Sequence, residues 1–132
     1  NAYFIGGNGT EFPAAQANKK FGAGTVVVKM NEVRRPSTLM AFVSARSAIT
    51  GNDANGYYQV TPPYLTTRQW SADWSPNLSP AQWGFVAPRY ENHAVAGELD
   101  GHVESFGLRD LQDMQHWCNT ADRSDFVLQP AP

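Results

Sequence analysis

The stretch AGELDGHVESFGLRDL, residues 96–111, places two runs of strand-forming residues on either side of an Asp-Gly pair. This pair favours a two-residue type I′ turn, because both central positions of that turn need a positive φ. We therefore predict an antiparallel hairpin over residues 93–106, closed by Asp100 and Gly101. The residues around the turn include several acidic side chains and a histidine, which raises the question of a chemical role.

The predicted turn also sets the cross-strand register. It places Leu99 opposite His102 and Gly97 opposite Glu104. Opposed residues share a face of the sheet, so Glu104 lies on the face of Leu99 and His102, and Glu98 lies on the other. A pair of working carboxylates must point into one cleft. The register therefore predicts no acid–base site in this cluster.

Histidine spacing gives the same prediction for metal ions. His93 precedes the turn by a whole strand, which separates it from His102 by on the order of 20 Å at roughly 3.3 Å per residue. His116 belongs to the following element. We expect no metal ion, no cofactor and no catalytic residue. No nucleophile, phosphate-binding or zinc motif of known spacing occurs in the chain.

Composition restricts the class of protein. The 132 residues suit a single domain over residues 1–132, and 11 glycines with 9 prolines favour a turn-rich β or α+β fold over a helical bundle. The net charge is −2 and the basic residues are scattered, so no nucleic-acid partner is expected. The single cysteine, Cys118, is predicted to be a buried apolar residue.

The segments around the hairpin complete the predicted fold. Residues 1–24 mix aromatic residues with glycine and asparagine and are predicted to be mostly irregular, whereas the apolar run at 39–44 predicts a buried strand. The segment GNDANG at 51–56 is predicted to be a loop, and residues 57–60 a strand. Leu108, Leu111, Met114 and Cys118 are spaced as one face of a helix over residues 107–118. The sequence thus predicts an α+β domain, in which an antiparallel sheet packs against a C-terminal helix.

Three tryptophans lie in a proline- and serine-rich stretch, residues 64–88, that fits neither a helical nor a strand period. Trp70, Trp74 and Trp83 could form an aromatic platform for sugars on a long ordered loop. They could equally hold that loop against the core, because each large ring buries much surface. Exposure of the rings distinguishes these interpretations.

The segment RYENHAVAGELDGHVESF, residues 89–106, carries a resemblance. It resembles the C-terminal signature of the prepilin-type processing-associated family, which is similar to type II secretion pseudopilins. In that signature an Arg-His pair is followed, nine residues after the histidine, by Asp-Gly-His-Val. The matching residues are Arg89, Asp100, Gly101, His102 and Val103. Tyr90 stands where the family has its histidine, and Glu98 stands where an aromatic residue is usual.

The resemblance implies a pilin-like head domain, which acts by packing and display in a type II secretion or related filament and is not an enzyme. Its implied partners are other pilin-like subunits and secretion-system proteins. It implies a periplasmic or cell-surface head that contacts the membrane only through an N-terminal apolar helix, which this sequence lacks. A sheet that such a helix covers should expose an apolar strip on one face. The alternatives are a carbohydrate-binding module that uses the Trp70–Trp83 loop, and a hydrolase with converging carboxylates.

Overall fold

The computed structural model describes residues 1–9, 11–47, 54–57 and 59–132, and the secondary structure in these ranges is short. Its strands are β1 (Gly7–Asn8), β2 (Phe12–Pro13), β3 (Met40–Val43), β4 (Arg46–Ser47), β5 (Ala54–Asn55), β6 (His93–Glu98) and β7 (Val103–Gly107). Its α-helices are α1 (Ala14–Phe21) and α2 (Leu108–Leu111), and 3-10 turns cover Met30–Glu32, Pro80–Trp83 and Met114–His116. Residues 51–53 and 58, from the predicted loop and strand at 51–60, lie outside the described residues. The described residues 57, 59 and 60 form no strand.

The main sheet has three antiparallel strands in the order β3-β6-β7. It confirms the predicted hairpin and a strand within the predicted run at 39–44. That strand is not buried along its length as expected, because its outer face is open: Met40 is buried, whereas Phe42 is 79% exposed. Two smaller two-stranded ribbons, β1-β2 and β4-β5, lie outside this sheet. The architecture is a mixture of short helices and a small antiparallel sheet, which agrees with the predicted α+β class.

The register of the hairpin differs by one residue from the prediction. Ala96 pairs with Glu104, and the backbone N–H of Glu98 donates to the carbonyl of His102 at 2.9 Å. The connection therefore has three residues, 99–101, and is not a two-residue turn. Gly101 has a φ of 96°, the positive value that the last position of a three-residue hairpin loop requires.

This shift reverses the predicted faces, because side chains alternate along a strand. Ala94, Ala96 and Glu98 point to the buried face and share it with Phe106. The prediction that Glu98 and Glu104 point to opposite faces is therefore wrong. Both belong to the face that also carries His102.

The buried face of the sheet packs on an aromatic core. Trp83 and Trp117 are fully buried there, and Trp70 stacks obliquely on Trp83 with ring centroids 4.3 Å apart. Among the described residues, the largest fully buried side chains are Phe4, Leu39, Met40, Trp83, Leu111, Met114, Trp117 and Leu128. The loop at 64–88 thus supplies much of the core.

The predicted C-terminal helix is much shorter than expected. Only Leu108–Leu111 is α-helical, and the backbone at Asp113 is extended, with a ψ of 112°. The Asp113 side chain accepts a hydrogen bond from the N–H of Gln115 at 2.9 Å, a local bond that competes with helix continuation. Met114 and Cys118 are nevertheless fully buried, as the helical spacing predicted.

The N-terminal region corrects a second prediction. Residues 14–21 form helix α1, where mostly irregular chain was expected. Of this helix only Ala17 is buried, so it lies on the surface of the domain. Within the described ranges, no helix is both long and apolar enough to reach across a bilayer.

Candidate functional site

The loop of the hairpin holds His102 in a fixed orientation. Asp100 Oδ1 accepts a hydrogen bond from the backbone N–H of His102 at 3.1 Å and lies 2.6 Å from its ring Nδ1. The backbone bond from His102 lowers the pKa of Asp100, and the hydrogen bond to Asp100 raises the pKa of His102. Because Asp100 accepts the hydrogen bond from Nδ1 of His102, the other ring nitrogen, Nε2, points away from Asp100.

Glu98 lies at the end of β6 and is only 4% exposed. Neither of its carboxylate oxygens has a hydrogen-bond partner among the residues that the structure describes. Burial raises the pKa of Glu98, and the nearby imidazoles of His116 and His102 act in the opposite direction. A buried carboxylate without a partner is costly, so this side chain marks the cluster as unusual.

The corrected register brings three potential ligands together. One ligand atom from each of Glu98, His102 and Glu104 lies within 4.8 Å of the other two. Glu104 Oε2 is 3.7 Å from His102 Nε2. His116 also lies near enough to Glu98 to lower the pKa of its carboxyl, and Thr38 O accepts a hydrogen bond from His116 Nδ1 at 3.0 Å. The hairpin therefore ends in a cluster of one imidazole and two carboxylates.

The other motif residues have separate positions. Arg89 donates from Nη2 to the carbonyl of Ala45 at 2.7 Å, which ties the start of the motif to the segment after β3. Tyr90 is 55% exposed. Val103 is exposed on the outer face of the sheet. Of the predicted motif, only His102 belongs to the cluster, and Asp100 and Gly101 lie in the adjoining hairpin loop.

The three tryptophans do not form an exposed platform. Trp70 and Trp83 are buried, so the possible sugar platform of Trp70, Trp74 and Trp83 is excluded for these two rings. Trp74 is half-buried, with the Arg46 guanidinium carbon 5.2 Å from its ring centre. Trp74 and Arg89 line one open cavity of about 390 Å³. The interpretation that these rings hold the loop against the core agrees with their burial.

No family model, no curated protein and no solved structure matches this chain. The resemblance of residues 89–106 to the prepilin-type processing-associated family therefore stays a prediction. The sequence did not predict that Glu98 and Glu104 lie on the same face. A hairpin with a three-residue loop ending in Gly101, in place of the two-residue turn, would have predicted it.

Proposed function

We propose that this chain is the head domain of a pilin-like structural subunit, in a type II secretion or related filament, and that it acts by packing. The observation that carries the proposal is an apolar strip on the outer face of the main sheet, made by Phe42, Val95 and Val103. Their exposures are 79%, 40% and 68%. Such a strip was expected from the resemblance, because a pilin-like sheet is covered by an apolar helix.

The shape of the apolar strip suits a helix. Phe42 pairs with Gly97, and Gly97 pairs with Val103. Phe42, Gly97 and Val103 therefore form one row across the sheet. A side chain at Gly97 would meet no atom within 4 Å. The row is therefore a shallow groove with two apolar walls and a glycine floor, which lets a helix approach the strand backbone closely.

Asn1 contacts both β3 and the core. Its Nδ2 donates to the carbonyls of Met40 and Trp117, both at 2.8 Å, and the residue is 7% exposed. We propose that the apolar strip is covered by the apolar helix of a pilin-like subunit, from the same chain or from a neighbouring copy in the filament.

In this proposal the residues of the motif have structural roles. Gly101 and Asp100 shape the hairpin loop, and Arg89 anchors the segment before β6. Together they hold β6 and β7 flat against the core, so that the opposite face can carry the apolar strip. The sugar-binding alternative is disfavoured, because two of its three rings are buried.

Photo-cross-linking tests the proposal in the natural full-length protein, expressed in its own host. Benzoylphenylalanine at position 42 should cross-link to an apolar helical segment, which mass spectrometry of the joined peptides identifies. Position 30 is the matched control, because Met30 is 60% exposed and apolar but lies in the 3-10 turn Met30–Glu32, outside the sheet. Equal cross-linking at the two positions, or a product at position 42 that contains no apolar helix, contradicts the proposal.

A further inference from the structure

We propose that Glu98, His102 and Glu104 bind a divalent transition-metal ion, for which Zn²⁺ is the reference. This site goes beyond the proposed packing function and does not depend on it. The ligands are one imidazole nitrogen and two carboxylates, a set that suits zinc and its neighbours in the first transition row.

The distances within the cluster come close to those of a bound site. With metal–ligand bonds of about 2.0–2.2 Å, tetrahedral ligand atoms lie roughly 3.3 Å apart. The Glu104 Oε2 to His102 Nε2 distance is 3.7 Å, and all three ligand atoms lie within 4.8 Å of one another. The side chain of Glu104 is 59% exposed and free to close the remaining gap. Rotation of the Glu104 side chain can therefore bring its carboxylate closer to His102.

Asp100 prepares His102 for this role. In the neutral ring, the 2.6 Å contact to Asp100 Oδ1 places the proton on Nδ1 and leaves the lone pair of Nε2, which lies 3.7 Å from Glu104 Oε2, available to a metal ion. Metal-binding histidines commonly donate their second ring N–H to a carboxylate in this way, which orients the ring and raises its basicity. Asp100 is thus a positioning residue and not a ligand.

Glu98 gives the independent reason to infer a ligand. It is 96% shielded from solvent, and neither oxygen is paired among the described residues. Buried charges in proteins are normally paired or bound to a metal, and a protonated carboxyl would still leave its hydroxyl without an acceptor. An ion held between Glu98, His102 and Glu104 supplies the missing partner.

The choice between metals follows from the ligand types. Ca²⁺ takes six to eight oxygen ligands and Mg²⁺ prefers an octahedral shell that keeps several waters. A nitrogen ligand and a small number of carboxylates favour Zn²⁺ instead, with a fourth position left for water or for a group from a partner. The exposed side of the cluster, at His102 and Glu104, provides access for that fourth ligand.

Isothermal titration calorimetry with zinc chloride on chelator-treated protein tests the site. We expect one Zn²⁺ per chain. Glu98→Gln keeps the shape of the buried side chain and should abolish this binding, whereas Asp100→Asn should weaken it about 10- to 100-fold. His93→Gln is the matched control, because His93 is an exposed histidine on the same strand that bonds to Glu91 O, and it should bind Zn²⁺ as the wild type does.

Three results would overturn the proposal: wild-type protein that does not bind Zn²⁺, Glu98→Gln protein that binds as tightly as wild type, or saturation by Ca²⁺ in preference to Zn²⁺. Circular dichroism shows whether each variant is folded. Should Glu98→Gln fail to fold, His102→Gln replaces it, since that side chain is 43% exposed and outside the core. Retained binding in folded His102→Gln contradicts the site equally. None of these outcomes bears on cross-linking at position 42, so the two proposals fail separately.

Discussion

Replacement of Gly101 by alanine tests the hairpin loop. Gly101 has a φ of 96°, and a Cβ at this position would meet no atom within 4 Å. The cost is therefore conformational and not steric. Holding an L-residue in the left-handed region costs about 1–2 kcal/mol, and the loss of chain entropy in the unfolded state offsets about 0.4–1 kcal/mol of it. We expect Gly101→Ala to lower the free energy of unfolding by about 1 kcal/mol.

Urea denaturation measures this difference, with Gly97→Ala as the matched control. Gly97 lies within β6, has no positive φ, and also has open space around its Cβ position. It should be neutral or slightly stabilising. A loss of 1 kcal/mol moves the urea midpoint by about 0.3–1 M for a domain of this size. An unchanged midpoint for Gly101→Ala, or equal losses at both glycines, would refute the reasoning.

Two further predictions concern buried side chains. Trp83→Ala should reduce the free energy of unfolding, measured in urea, by about 3–5 kcal/mol. Trp74→Ala should reduce it by less, because Trp74 is only half-buried. If both variants keep full stability but no longer bind to a polysaccharide panel, the sugar-binding alternative is favoured instead. The second prediction is made for protein in chelator, without bound metal. Burial raises the pKa of Glu98 in the folded state. The stability of the wild-type protein is therefore highest below the unfolded pKa of this carboxyl and falls as the pH rises through the folded pKa. Glu98→Gln should therefore gain stability relative to wild type over that rise, and parallel stability–pH curves would contradict this.

The hairpin was predictable from its Asp-Gly pair, but its register was not. Both a two-residue and a three-residue loop accommodate this pair, and the two differ by one residue in pairing. Strand β6 carries apolar residues on both faces, Val95 on one and Ala94 and Ala96 on the other. The alternation of apolar and polar residues therefore could not distinguish the two registers. That single residue decides whether Glu98 and Glu104 diverge or converge.

The two errors about helices have different causes. The spacing of Leu111, Met114 and Cys118 predicted which side chains are buried, yet the bond from Gln115 N–H to Asp113 breaks the helix that the spacing implied. Hydrophobic periodicity reports burial and is silent on such a competing bond. Helix α1 was missed because it is short, with eight residues, and only Ala17 of these is buried.

The most direct test of the proposed pilin-like role is the state of the natural gene product in its own host. Membrane fractionation followed by N-terminal sequencing and intact mass measurement shows what precedes this domain. The proposal predicts a membrane-bound protein, cleaved after a short leader, that keeps an apolar helix ahead of the head domain. A freely soluble protein released by a secretory signal, with no apolar helix retained, would contradict it.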